Sequence, residues 1–163
     1  MDETRGRLTK DGIRIYEDAD FAGMHAAGLL AAQILDEAAV LVVPGASTAE
    51  IDDFITRSVV DLGAVSATIG YRGYKHASCI SVNHVVCHGI PGPKVLKDGD
   101  ILNIDVTVIL DGWYGDTSRM YVAGTLGRKA ERLIEVTHEA LMLGIAAVVP
   151  GNGLDPACTM GPS

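Results

Sequence analysis

Ile101-Leu-Asn-Ile-Asp105-Val-Thr-Val-Ile-Leu110, Asp111-Gly112, Trp113-Tyr-Gly-Asp116-Thr-Ser-Arg-Met120 is the stretch that decides how this chain folds. Two runs rich in β-branched and apolar residues flank an Asp-Gly pair. That dipeptide favours a two-residue type I′ turn, because both central positions need a positive φ. The expectation is an antiparallel hairpin. With 111 and 112 at its turn, residue 107 faces 116 and residue 105 faces 118. Asp105 and Asp116 then become diagonal neighbours on one face, roughly 7–8 Å apart at the backbone and able to reach one cation.

Asp105 sits in an otherwise apolar strand, where a carboxylate leaving water needs a partner. Two explanations fit it. Hard divalent cations take oxygen ligands, and carboxylates bridging two metals about 3.5–4 Å apart make a centre that activates water. Alternatively, the side chain bonds backbone amides at a strand end or reaches solvent at an edge. Two aspartates do not complete a dinuclear centre, which needs further carboxylate or His ligands.

Outward from the hairpin, Ala67–Tyr71 and Cys79–Val82 share its β-branched texture between glycine turns, so the middle third reads as an antiparallel sheet with Ile101–Leu110 and Trp113–Val122. Upstream, Gly12–Tyr16 alternates briefly as a short strand or arm. Asp20 offers an N-cap for a helix to about Leu41, with Met24, Leu29, Leu30, Ile34, Ala38 and Leu41 at helical spacing. Pro44-Gly45 stops it. Ser47-x-x-Glu50 is a capping box opening a second helix, which carries Ile51, Phe54, Ile55 and Val59 on one face and ends at Leu62-Gly63.

Downstream, Leu126–Leu143 returns to helical spacing through Leu133, Val136, Ala140 and Leu143. It runs into Val148-Val149-Pro150-Gly151, which repeats Val42-Val43-Pro44-Gly45 in the same context, the end of a long Ala/Leu-rich helix. Four matching residues are weak alone; the shared context points to an internal duplication. Its second copy is begun but not continued by Asn152–Ser163, a stretch of Gly, Pro and small residues without periodicity. The fold class is α/β (α+β), with residues 1–151 as the folded domain and 152–163 as a divergent, disordered tail.

Composition narrows the functions. The 163 residues suit one domain by size. Thirteen Lys and Arg against 21 Asp and Glu give a net charge of −8, leaving no basic stripe for a phosphate backbone, so no direct nucleic-acid binding is expected. A 48% hydrophobic share and mean hydropathy of +0.24 exclude a disordered chain. Phe21–Val43 is interrupted by His25, Gln33, Asp36 and Glu37, and Ala140–Val149 is too short to span a bilayer, so both read as core helices and no membrane is expected. The start of the chain lacks the basic-then-apolar pattern of a secretory signal. Cys79, Cys87 and Cys158 show no Cys-x-x-Cys spacing and read as reduced thiols of a cytoplasmic protein.

His88 ends the apolar run Val85-Val-Cys-His88-Gly-Ile-Pro91. An imidazole where a strand breaks can point into a cleft with a pKa near neutrality, or it can be a satisfied structural residue. Tyr71, Tyr74 and Cys79 line an apolar pocket or belong to the core. His25, His76, His84 and His138 read as surface or helix-face residues.

Asn83-His-Val-Val-Cys-His-Gly-Ile-Pro91, Leu96-Lys-Asp-Gly-Asp-Ile-Leu-Asn-Ile-Asp-Val-Thr-Val108 and Asp111–Met120, in that order, resemble type I methionine aminopeptidases, and the resemblance runs from about residue 12 to 151. It implies the pita-bread fold, itself a duplication, cut here to its first α/β half with an antiparallel sheet. It implies removal of the initiator methionine from nascent proteins, with two divalent ions of the Co, Mn, Fe, Zn or Ni class. Carried over by position, Asp105 matches a ligand to one metal and Asp116 a ligand bridging both. His88 matches the catalytic histidine that hydrogen bonds the substrate, and Tyr71, Tyr74 and Cys79 match the pocket for the methionine side chain, where aromatic faces and a thiol suit a thioether. The expected partner is the N-terminal Met of a nascent peptide, at the ribosome. The remaining His and Glu ligands and the Glu base belong to the half this chain does not reach, and His84 stands where the family often has Glu. At most weak binding of a single metal is therefore expected, and methionine removal impaired by the truncation. A second reading, from a different class, is a catalytically inactive fragment or half-module that binds a partner or self-associates through its exposed half-sheet.

Overall fold

A computed structural model describes residues 5–152. Asp111 and Gly112 both have positive φ, 49° and 77°, and the tight turn they form joins β5 (Asp100–Leu110) to β6 (Trp113–Ala123). The two strands pair antiparallel over their whole length, with Thr107 opposite Asp116 and Asp105 opposite Ser118. The expected register holds. On the other edge of β5 lie two short strands in line: β3 (Val65–Ser66) beside Ile109 and Val108, and β4 (Ser78–Val82) beside Val106 through Leu102.

Strand alternation sorts the sheet into two faces. Leu102, Ile104, Val106 and Val108 of β5, with Ile80 and Val82 of β4, are buried in the core. The intervening Cys79, Asn103, Asp105 and Thr107 lie on the opposite face and stay partly exposed.

Two helices cover the core face. In α1 (Asp18–Ala38) the buried stripe is Ala27, Ala31, Ile34, Leu35 and Ala38, and its alanines let the helix lie close to the sheet. Closeness is greatest at Gly115 of β6, where an added Cβ would stand 2.1 Å from the Ala27 carbonyl oxygen; only glycine fits. Tyr121 donates its hydroxyl proton to the Leu35 carbonyl at 2.6 Å. The segment 18–41 is long and apolar enough to cross a membrane by length and composition. In α2 (Thr48–Asp61) the Ser47–Glu50 capping box forms in both directions, and Ile51, Ile55 and Val59 are buried with Phe54 packed beside them.

Several expectations are corrected. The cap of α1 is Glu17, with Asp20 at the third helical position reaching back to the Glu17 amide. Met24 and Leu29 face outward, and Leu41 lies in a 3₁₀ turn (Ala39–Leu41) beyond the helix. Ile34 and Ala38 of the expected face are buried and Leu30 and Leu41 pack against the core, while Ala27, Ala31 and Leu35 complete the buried stripe. Ala67–Tyr71 is no strand: β3 ends at Ser66, Ala67 adds one amide bond to the Thr107 carbonyl at 3.0 Å, and Gly70 (φ 87°) turns the chain into a 3₁₀ turn at Tyr71–Gly73. Gly12–Tyr16 contributes β2 (Arg14–Ile15), paired with β1 (Arg7–Leu8) apart from the main sheet.

The described residues divide into two compact units, 5–124 and 125–152. The second contains α3 (Arg128–Ala147), which starts after Gly127 rather than at Leu126. Along it, Val136, Ala140 and Leu143 alternate at helical spacing with exposed Leu133, Leu141, Met142 and Ile145. Apart from Asn152, whose side chain donates to the Ala147 carbonyl, the expected tail 152–163 lies outside the described residues.

Candidate functional site

On the face of the sheet away from the helices, Asp105 and Asp116 stand diagonally across β5 and β6. Thr107, directly opposite Asp116, donates its hydroxyl proton to Asp116 Oδ1 at 3.0 Å and fixes that carboxylate. Cys79 of β4 is the cross-strand partner of Asp105 on its other side. Burial, followed by the negative charge of Asp116, raises the Asp105 pKa above the usual carboxylate range, with His88 pulling it back. Asp105 therefore lies within the electrostatic reach of both Asp116 and His88.

His88 reaches this place through the loop between β4 and β5. Asn83 turns it at φ 55°; its backbone amide donates to the Ile101 carbonyl at 2.8 Å, and its side chain donates to Asp100 Oδ1 at 2.8 Å. The loop then folds back onto β4. Ile80 donates to the Gly89 carbonyl at 2.8 Å, and Gly89 donates to Ser81 Oγ at 3.0 Å. A Cβ on Gly89 would lie 2.2 Å from the Ile80 carbonyl oxygen, so only glycine permits this approach. His88 takes a left-handed φ of 53°, uncommon for a residue with a Cβ, and is exposed beside the sheet.

Beside the aspartates opens a cleft of about 690 Å³. Tyr71, Tyr74, Cys79 and His88 line it together with Thr107 and Tyr114. Tyr74 donates its hydroxyl proton to the Ser78 carbonyl at 2.8 Å and stands 3.6 Å from Cys79 Sγ. Burial pushes the Tyr74 hydroxyl well above its ordinary pKa, and burial likewise raises the Cys79 thiol, so both stay neutral near pH 7. The walls thus combine aromatic rings and an uncharged thiol with the polar side chains of Thr68, Arg72, His88 and Thr107.

Four of the six residues singled out from the sequence line this cleft. Asp105 and Asp116 border it, next to Cys79 and Thr107. Sequence reasoning missed Thr107, Tyr114, Ser81 and Gly89 as parts of the site. The hairpin register already placed Thr107 opposite Asp116, which was enough to find it; Gly89 needed the fold of the loop. His76 is also reassigned. It is no free surface residue, because its Nδ1 lies 2.8 Å from Oδ2 of the buried Asp52.

The donor set suits a hard divalent cation: two carboxylates on one face, their like charges close enough to raise the Asp105 pKa. Among the described residues, no group of three His, Cys, Asp or Glu side chains gathers to hold a metal. The residues fit as two oxygen ligands of a larger set.

Residues 22–156 match metallopeptidase family M24. The chain is 51% identical over 142 residues to the methionine aminopeptidase of Rickettsia prowazekii, covering 87% of this chain and 55% of that protein. The crystal structure of the Rickettsia prowazekii enzyme superposes with a TM-score of 0.80, over 82% of this chain and 54% of the other. The structure of methionine aminopeptidase from Thermotoga maritima, 35% identical, gives 0.79 over 84% and 55%. The chain spans about half the length of the curated relatives it matches. Its helices and antiparallel sheet are those of the pita-bread fold, and the hairpin bearing Asp105 and Asp116 lies within the matched span: the chain belongs to metallopeptidase family M24.

Proposed function

We propose that this chain supplies the side-chain pocket, the catalytic histidine and two metal ligands of a metal-dependent methionine aminopeptidase acting on the N-terminal methionine of nascent proteins in the cytoplasm, at the ribosome. The observation that carries the reading is the placement of Asp105, Asp116 and His88 beside one aromatic and thiol-lined cleft. Divalent cations of the Co, Mn, Fe, Zn or Ni class, when bound, activate water and polarise a carbonyl. The chain's own residues do the rest. Asp105 and Asp116 present oxygen ligands, and Thr107 holds the Asp116 carboxylate in orientation. Tyr71, Tyr74 and Cys79 take an unbranched thioether side chain, for which polarisable and aromatic surfaces are favourable. His88 donates or accepts a hydrogen bond at the scissile amide from the rim.

The test is methionine release from Met-Ala-Ser with Mn²⁺ or Co²⁺. Release abolished by Asp116→Asn supports the reading. Loss of a direct ligand is expected to cost at least the roughly 10–100-fold typical of outer-shell partners.

A second reading has its own observation. With two carboxylates and no third ligand gathered among the described residues, the chain by itself holds one cation weakly and acts as a half-module that binds a partner or a second copy through its sheet. Under this reading the purified chain releases no methionine, and sedimentation shows a species larger than the monomer.

A further inference from the structure

We propose that Asp52 and His76 are positioning residues for the Tyr74 wall of the cleft, acting from the helix layer on a side chain of the site. Asp52 projects from α2 and is almost fully buried, at 4% exposure. Its carboxylate is saturated by one short segment. Oδ1 accepts from the Ser78 amide at 2.9 Å and from the Ser78 hydroxyl at 2.7 Å, while Oδ2 faces His76 Nδ1 at 2.8 Å. A buried carboxylate so bound fixes its donors, because losing any of them leaves a desolvated charge short of a partner.

Both residues that Asp52 holds also hold Tyr74. The Ser78 carbonyl accepts the Tyr74 hydroxyl at 2.8 Å. The His76 ring meets the Tyr74 ring edge-on, with centroids 5.5 Å apart at 66°, an arrangement favoured by the ring quadrupoles. Tyr74 is thereby clamped at its tip and along its flank, and its remaining surface lines the cleft beside Cys79. The segment itself is irregular: residues 74–77 lie between the 3₁₀ turn and β4, outside any helix or strand. Without Asp52 it has little regular structure to set the ring's angle. The consequence for binding rests on the proposed reading that a methionine side chain enters this cleft.

The experiment follows the Tyr74 ring by NMR in the full chain carrying ¹³C-labelled tyrosine, in parallel with titration of Met-Ala-Ser. In His76→Ala, the Tyr74 ring signals are expected to shift and average while those of Tyr121 stay in place, and affinity for Met-Ala-Ser falls about two- to ten-fold, the worth of an aromatic pair. His76→Phe keeps the ring edge without the bond to Asp52 and is expected to restore part of the loss; His76→Gln, which keeps a donor without the ring, restores less. Asp52→Asn moves both the Ser78 and Tyr74 signals if it folds, and the His76 series stands without it. Unchanged Tyr74 signals in His76→Ala overturn the proposal, as does a uniform shift of all tyrosines. If the parent chain takes up no Met-Ala-Ser, the functional reading falls, while the Tyr74 signals still decide the clamp.

Discussion

Asn83 and Asp100 show how much of the site depends on single side chains distant from its chemistry. Asp100 accepts from the Asn83 side chain and from the Lys97 amide at 2.9 Å. These bonds, the first of them foremost, hold its carboxyl below the usual carboxylate range. A folded pKa below the unfolded one means stability that is present above the unfolded value, about 3.9, and is lost as pH falls through the folded value. Asp100→Asn is therefore expected to be less stable than the parent at pH 7 in urea unfolding, and the gap should close below about pH 4. A gap that persists at pH 2 would mean the bonds do not depend on the ionised carboxylate. Asn83 belongs to the Asn83–Pro91 motif, yet its task of starting the loop that carries His88 is visible only from its partners on β5, Ile101 and Asp100.

Among the elements, the contact of α1 with β6 sets the position of the hairpin that carries Asp105 and Asp116. Gly115 lies one residue from Asp116 and directly beneath the α1 backbone at Ala27. Gly115→Ala is expected to push strand and helix apart at a cost of about 1–3 kcal/mol, the usual range for overpacking. Thermal unfolding measures that cost, and an unaltered melting temperature would show that the two elements part freely. The hairpin and both capping-box partners of α2 were legible because turn chemistry and caps are local properties of a few residues. The face of α1 was legible in part: Ile34 and Ala38 are buried as expected, but Ala27 and Ala31 were not expected and Met24 and Leu29 face outward. An alanine gives little hydrophobic signal where two backbones approach closely. Ala67–Tyr71 was not legible either: its apolar composition suggests a strand, although Gly70 at φ 87° turns the chain there.

For the whole molecule, charge is the simplest lever. The chain is acidic, with a net charge of −8, and two of its carboxylates face each other's field on the open side of the sheet. Mn²⁺ bound there, and absent from the unfolded chain, raises stability by mass action. At ten times the dissociation constant the gain is about 1.4 kcal/mol, or about 3–5 °C for a domain of this size. Calorimetry is expected to show this rise in the parent and none in Asp116→Asn. An equal rise in both would place the cation elsewhere.

Local sequence was enough to specify the hairpin, its register and the diagonal placement of Asp105 and Asp116, because an Asp-Gly turn and strict strand alternation leave one way to pair two apolar runs. It also determined the family, through motifs carried by contiguous residues. Only the tertiary structure decided that the His88 loop folds back on β4 through Gly89, that Tyr71 leaves the sheet to form a cleft wall, and that Asp52 in the helix layer holds the segment behind Tyr74. Each of these depends on contacts between residues distant in sequence, where close approach and burial of polar groups select one conformation that no local pattern encodes.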